Sequence, residues 1–150
     1  MIIWKLVLIV WALVLMGCDG GKFQNSATRE LSYSDKLRYE QYMIQGQQLY
    51  LAHCSNCHQK DGTGLGQLIP PLAQSDYMLE NQARTLCLIK YGLEEKIVVN
   101  GTEYQQPMPA NETLSDIEIA QIATYIYNSW GHEEGYISVK AASVEIDKCK

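Results

Sequence analysis

Cys54-Ser55-Asn56-Cys57-His58 is the stretch from which the rest of this 150-residue chain is read. Two thiols separated by two residues fall on one side of a helical turn, and an imidazole follows directly. Three chemistries use such a pair. A structural zinc ion needs four ligands, usually with a second Cys or His pair at short spacing. The other candidates here, His53, Cys87, His132 and Cys149, are scattered along the chain. A dithiol redox centre sits beside a strand at the head of a βαβ unit, whereas this stretch lies between a helical pattern and a glycine-rich loop. The third chemistry is covalent attachment of haem. There the thiols add across the two vinyl groups and the adjoining imidazole takes the iron. It uses every residue of the pattern, and assigns Cys54 and Cys57 as attachment points and His58 as an iron ligand. His53, beside them, reads as a surface residue.

Iron ligated from one side invites a second ligand on the other. Met43, Met78, Met108 and His132 are the candidates. Met43 and Met78 fall in helical patterns, where Met is usually core filler. Met108 sits in Gln106-Pro107-Met108-Pro109, and prolines on both sides restrict the backbone there. A stiff loop can hold a weakly bound thioether in place, so Met108 is the expected ligand. His132, beyond a capped helix, is the alternative.

Outward from the motif, apolar residues recur at helical spacing. Leu37, Met43, Gly46, Leu49 and Tyr50 predict a helix over 35–52. Gly46 weakens such a helix, which points to another backbone passing close. Three glycines between Gln59 and Gln67, then Pro70-Pro71, predict a loop. Gly62-Thr63-Gly64-Leu65-Gly66 follows no strand and lacks a Lys-Ser/Thr pair, so it is no phosphate cradle. A second helix is expected over 76–91, closed by Gly92. Residues 96–109 read as loop, because Asn100-Gly101 and two prolines argue against paired strands. Ser115 with Glu118 marks a helix start. Ile119, Ile122, Ala123, Ile126 and Trp130 continue one face of it as far as Gly131. The sum is an all-α protein with no internal repeat.

Residues 1–17 stand apart. Lys5 is their only charge, and 6–16 is an unbroken apolar run. As a helix that run is roughly 16 Å long against a hydrocarbon core of about 30 Å, so a signal peptide is expected rather than a membrane span. Leu15-Met16-Gly17-Cys18 resembles the lipobox of bacterial lipoproteins, which implies cleavage before Cys18 and acylation of it. An ordinary signal peptide with Cys18 unmodified is the alternative. Residues 18–34 are polar and mixed, and read as a flexible tether with an r.m.s. reach of roughly 20–25 Å. With Cys18 assigned to lipid and Cys54 and Cys57 to haem, Cys87 and Cys149 remain, either as a disulfide or as two free thiols. The chain carries 12 basic and 17 acidic residues. That balance does not suit nucleic acid, and would suit a partner with a basic patch.

Taken together, residues 35–131 resemble a class I cytochrome c domain. The resemblance rests on Gly46 with Tyr50 four residues on, the C-x-x-C-H stretch, a glycine loop and Pro70 to Leu72. It extends to Asn100-Gly101 before the ligand loop, Met108-Pro109, and Tyr125 on the terminal helix. It implies a cytochrome c fold of three to five helices wrapped around one covalently bound haem c. It implies that Gly46 lets the first and last helices cross closely, with Tyr125 at the crossing. It also implies that the Pro70 carbonyl accepts a hydrogen bond from His58 and orients it. The expected function is one-electron transfer in a respiratory chain, without catalysis, on the periplasmic face of a bacterial membrane. Membrane-bound respiratory complexes are the expected redox partners, and the lipid on Cys18 the anchor. A haem subunit of a larger dehydrogenase or reductase is the alternative. A ligand-binding haem sensor or peroxidase follows only if Met108 is not bound. Residues 132–150 extend beyond the minimal family pattern.

Overall fold

The structure, a computed structural model, describes Phe23 and residues 25–149. The expected signal peptide and Cys18 lie outside the described residues. The longest element is α1, Tyr33–His53. Ser32 caps it by accepting from the Asp35 amide, and Tyr39, Tyr42, Met43, Gly46 and Tyr50 form its buried face. The single turn α2, Ser55–His58, follows it directly.

The helix expected over 76–91 is two, α3 (Asp76–Glu80) and α4 (Gln82–Tyr91). Asn81 between them is extended, at φ −148°, and its side chain caps α4 by accepting from the Arg84 amide at 2.9 Å. An Asn that competes for backbone donors favours a new start over continuation.

The expectation of loop over 96–109 is corrected. Ile97–Val99 (β1) and Thr102–Tyr104 (β2) pair antiparallel. Asn100 and Gly101 both have positive φ, 50° and 77°. That is the geometry of the two-residue turn whose twist matches a hairpin. The Asn-Gly pair is therefore what joins the strands, and both prolines lie beyond β2.

The last two helices are α5 (Asp116–Ile126) and α6 (Val139–Ile146). The most extensive helix contact is between α1 and α5. A Cβ on Gly46 would sit 2.1 Å from the Gln121 carbonyl oxygen and 2.8 Å from the Tyr125 Cβ. The close crossing implied by the family resemblance is present, with Tyr125 at it. The fold has six α-helices among the described residues rather than three to five. The additional ones come from the break at Asn81 and from the tail.

That tail is part of the core. Ile137, Ala142 and Ile146 are buried, α6 packs on α4 and α5, and Cys149 is disulfide-bonded to Cys87 with Cα atoms 5.6 Å apart. The Asn128 side chain holds the tail's entry, accepting from the Gly135 amide at 2.9 Å and donating to its carbonyl at 2.7 Å.

The flexible tether expected over 18–34 is also shortened. Ser26–Thr28 forms a 3₁₀ turn capped by Asn25. Asn25 Nδ2 donates to Asn128 at 2.8 Å, and the Ser26 amide donates to Glu133 at 3.0 Å. Composition there is polar, but these polar groups find partners on the domain, so residues from 25 onward are folded.

Candidate functional site

One apolar chamber of about 960 Å³, its open mouth included, lies between α1, the glycine loop, α3–α4, the hairpin and α5. Cys54, Cys57, His58, Pro70 and Met108 all line it.

The motif is positioned by the end of α1. The Cys54 amide completes that helix by donating to Tyr50, and the Cys54 carbonyl accepts from Cys57 at 3.1 Å and His58 at 3.0 Å. This one turn presents both thiols and the imidazole together. Neither Cys54 nor Cys57 is in a disulfide. Burial first, and then the Cys57 charge, pushes the Cys54 thiol up to about 12. Dithiol redox centres instead work with thiols shifted downward, so the environment opposes that reading.

His58 Nδ1 lies 3.1 Å from the Pro70 carbonyl. Burial lowers its pKa, and the Pro70 bond opposes this in part. A neutral ring that donates from Nδ1 keeps the Nε2 lone pair for a metal. The loop carrying Pro70 is fixed in turn. The Gly62 carbonyl accepts from Leu72 at 2.8 Å and Ala73 at 2.9 Å, and the Gly64 amide donates to His58 at 3.0 Å. At Gly64, with φ +70°, a Cβ would lie 2.3 Å from the Ile69 carbonyl oxygen. Gly62 lies against the Trp130 ring, with a Cβ placed 2.7 Å from it. Trp130 packs edge-on to Tyr50 and Tyr125.

Met108 is held by more than its prolines. It exchanges two backbone hydrogen bonds with Leu93, at 2.8 and 2.9 Å. Lys90 Nζ donates to the Leu114 carbonyl at 2.6 Å just downstream. Sequence reasoning missed Leu93 because its contribution is made by the main chain and leaves no side-chain signal. Among the other candidates, Met43 is core at 1% exposure. Met78 also borders the chamber, from α3. His132 has both nitrogens engaged, Nε2 accepting from the Gln74 amide at 2.9 Å and Nδ1 at 3.3 Å from the Ile126 carbonyl. His53 is exposed.

A family model described as cytochrome c matches residues 43–130, which include every one of these chamber residues. The chain belongs to the cytochrome c family. A cytochrome c-552 from Thermus thermophilus is 33% identical over 90 residues, which are 57% of this chain and 68% of that protein. A second cytochrome c-552 of the same species has the same identity and is covered over 60% of its length. The cytochrome c subunit of a quinone alcohol dehydrogenase from Gluconobacter oxydans is 28% identical over 88 residues, 58% of this chain but only 18% of that subunit.

A cytochrome c is an electron carrier with covalently bound haem c. The residues present fit that group. Two thiols, an imidazole with one nitrogen already tied down and a thioether converge on a chamber whose other walls are mostly apolar.

Proposed function

We propose that this cytochrome c is a mono-haem carrier that passes single electrons between membrane-bound respiratory partners at the periplasmic face of a bacterial membrane. The observation that carries the reading is the convergence of Cys54, Cys57, His58 and Met108 on one chamber. Cys54 and Cys57 would hold the cofactor covalently, and His58, oriented by Pro70, and Met108 would ligate its iron. One C-x-x-C-H stretch in the chain corresponds to one haem. Haem c supplies one-electron chemistry at its iron, at a potential that a Met ligand raises. With His58 and Met108 both engaged, exogenous ligands are kept out, and a carrier is favoured over a sensor or peroxidase.

The anchor in this reading is acylated Cys18. Only seven residue steps separate it from Asn25, which is hydrogen-bonded to the domain. Fully extended they reach at most about 25 Å, so the domain is held close to the bilayer. More than one acyl chain makes such anchoring stable.

The test is Met108→Ala. The far-red sulfur–iron absorption band is expected in the parent and absent in the variant, whose ferrous form takes up carbon monoxide. A band that survives the substitution contradicts Met108 as ligand and directs attention to Met78. The likeness to dehydrogenase subunits supports a second reading, a haem subunit of a larger complex. Copurification of a catalytic partner from detergent-solubilised membranes selects it.

A further inference from the structure

The family match ends at Trp130, and the turn that follows closes back on the loop carrying Pro70. Three contacts make the closure. His132 Nε2 accepts from the Gln74 amide at 2.9 Å, Gln74 Nε2 donates to the Trp130 carbonyl at 2.9 Å, and the Trp130 ring lies against Gly62. His132 is itself held from behind. Its amide donates to Ser129 at 3.0 Å, and its Nδ1 lies 3.3 Å from the Ile126 carbonyl. An amide N–H can only donate, so Nε2 carries a lone pair and Nδ1 the proton. The ring is 5% exposed, yet it takes no part in lining the chamber.

The clamp falls where the loop most needs one. Pro70 and Pro71 have no amide hydrogen to donate, so the Pro70 carbonyl is aimed by its neighbours. Upstream, Leu65 donates to the Ile69 carbonyl at 3.0 Å, and downstream Leu72 and Ala73 both donate to Gly62. Next in line is Gln74, at φ 56°. That left-handed conformation is costly for a residue with a Cβ, and persists only where the surroundings impose it. The bonds to His132 and Trp130 impose it here.

We infer that His132 is a positioning residue for electron transfer: by holding the Gln74 amide it keeps the Pro70 carbonyl on His58 Nδ1, and so sets the potential of the iron that His58 would ligate. The inference rests on the electron-carrier reading and adds to it a residue outside the family match. A carbonyl bound at Nδ1 makes the imidazole a stronger donor, which favours Fe(III). Slackening the loop should therefore raise the potential.

Redox titration of the haem-loaded protein and its variants tests this. His132→Asn keeps a donor for the Ile126 carbonyl but is too short to reach the Gln74 amide. His132→Gln places an acceptor where Nε2 stands. Against a fixed mediator, His132→Asn should shift the haem at least about threefold towards Fe(II), or roughly 30 mV for one electron. His132→Gln should recover the parent value. Cys87→Ser with Cys149→Ser, which loosens the far end of the same tail, should lower the melting temperature and leave the potential alone. NMR of the ferrous parent adds a readout that needs no variant to fold. It should place the His132 proton on Nδ1 and find a slowly exchanging Gln74 amide, although Gln74 is exposed. Fast exchange at Gln74, a potential unmoved by His132→Asn, or an equal shift in the disulfide variant overturns the inference. A parent protein without bound pigment defeats the electron-carrier reading itself, before any variant is compared.

Discussion

A hydrogen atom is the only side chain that Gly46 can carry, because the Gln121 carbonyl occupies the space a methyl would need. Alanine there gains about 1 kcal/mol of helix propensity. Even so, Gly46→Ala is expected to lower stability by about 1–3 kcal/mol, since two backbones must separate. Chemical denaturation of the haem-loaded protein measures this. A neutral or stabilising result contradicts the close crossing. At the same scale, the motif residues were legible because each belongs to a short contiguous pattern: C-x-x-C-H, Pro-x-Leu and Met-Pro. Leu93, which pairs with Met108, and Gln74, which engages His132, act through main-chain groups and long sequence separation. Neither leaves a local signature.

Among the elements, α5 is the one whose start was clearest in sequence. The Glu118 carboxylate accepts from both the Ser115 hydroxyl, at 2.6 Å, and the Ser115 amide, at 2.8 Å. Those bonds hold its pKa below the ordinary Glu value. A depressed carboxylate stabilises the fold above its unfolded pKa, and that contribution disappears as pH falls through the folded value. Ser115→Ala should therefore cost about 1 kcal/mol at neutral pH. The gap to the parent should narrow as pH drops from about 5 towards 3. Melting curves across that range check it, and a gap independent of pH contradicts the role given to Glu118. The hairpin was misread because strands of three residues are too short to show alternation, so Asn-Gly could be read only as a break. Its turn is also tied to α3, the Asp76 and Asn100 side chains each accepting from the other's amide at 2.8 and 3.1 Å. The break at Asn81 was hidden for a related reason. Apolar periodicity runs across it, and the competing signal is one capping side chain.

For the whole molecule, the described segments that flank the family's core are closed onto it by devices of different kinds. The C-terminal tail is stapled by Cys87–Cys149 across 62 residues. Replacing both with Ser should lower stability by about 2–4 kcal/mol and leave the visible spectrum unchanged. A spectrum that shifts with the disulfide contradicts its placement outside the chamber lining. The N-terminal side is clasped by Asn25 and Ser26 onto Asn128 and Glu133. Sequence identified the extra cysteines but not the clasp, because polar composition alone does not tell a solvated segment from one whose polar groups have found partners. Both devices follow from size. A domain this small buries little apolar chain of its own, and covalent or hydrogen-bonded closure offsets that deficit.

The central claim is that two thiols and two opposed ligands of this chain hold one haem. Its most direct test is a pyridine haemochrome assay on protein matured by the c-type assembly apparatus, before and after extraction with acidified acetone. One haem per chain, with the pigment remaining on the polypeptide through extraction, is the predicted result. A colourless protein, or pigment that leaves with the solvent, contradicts it.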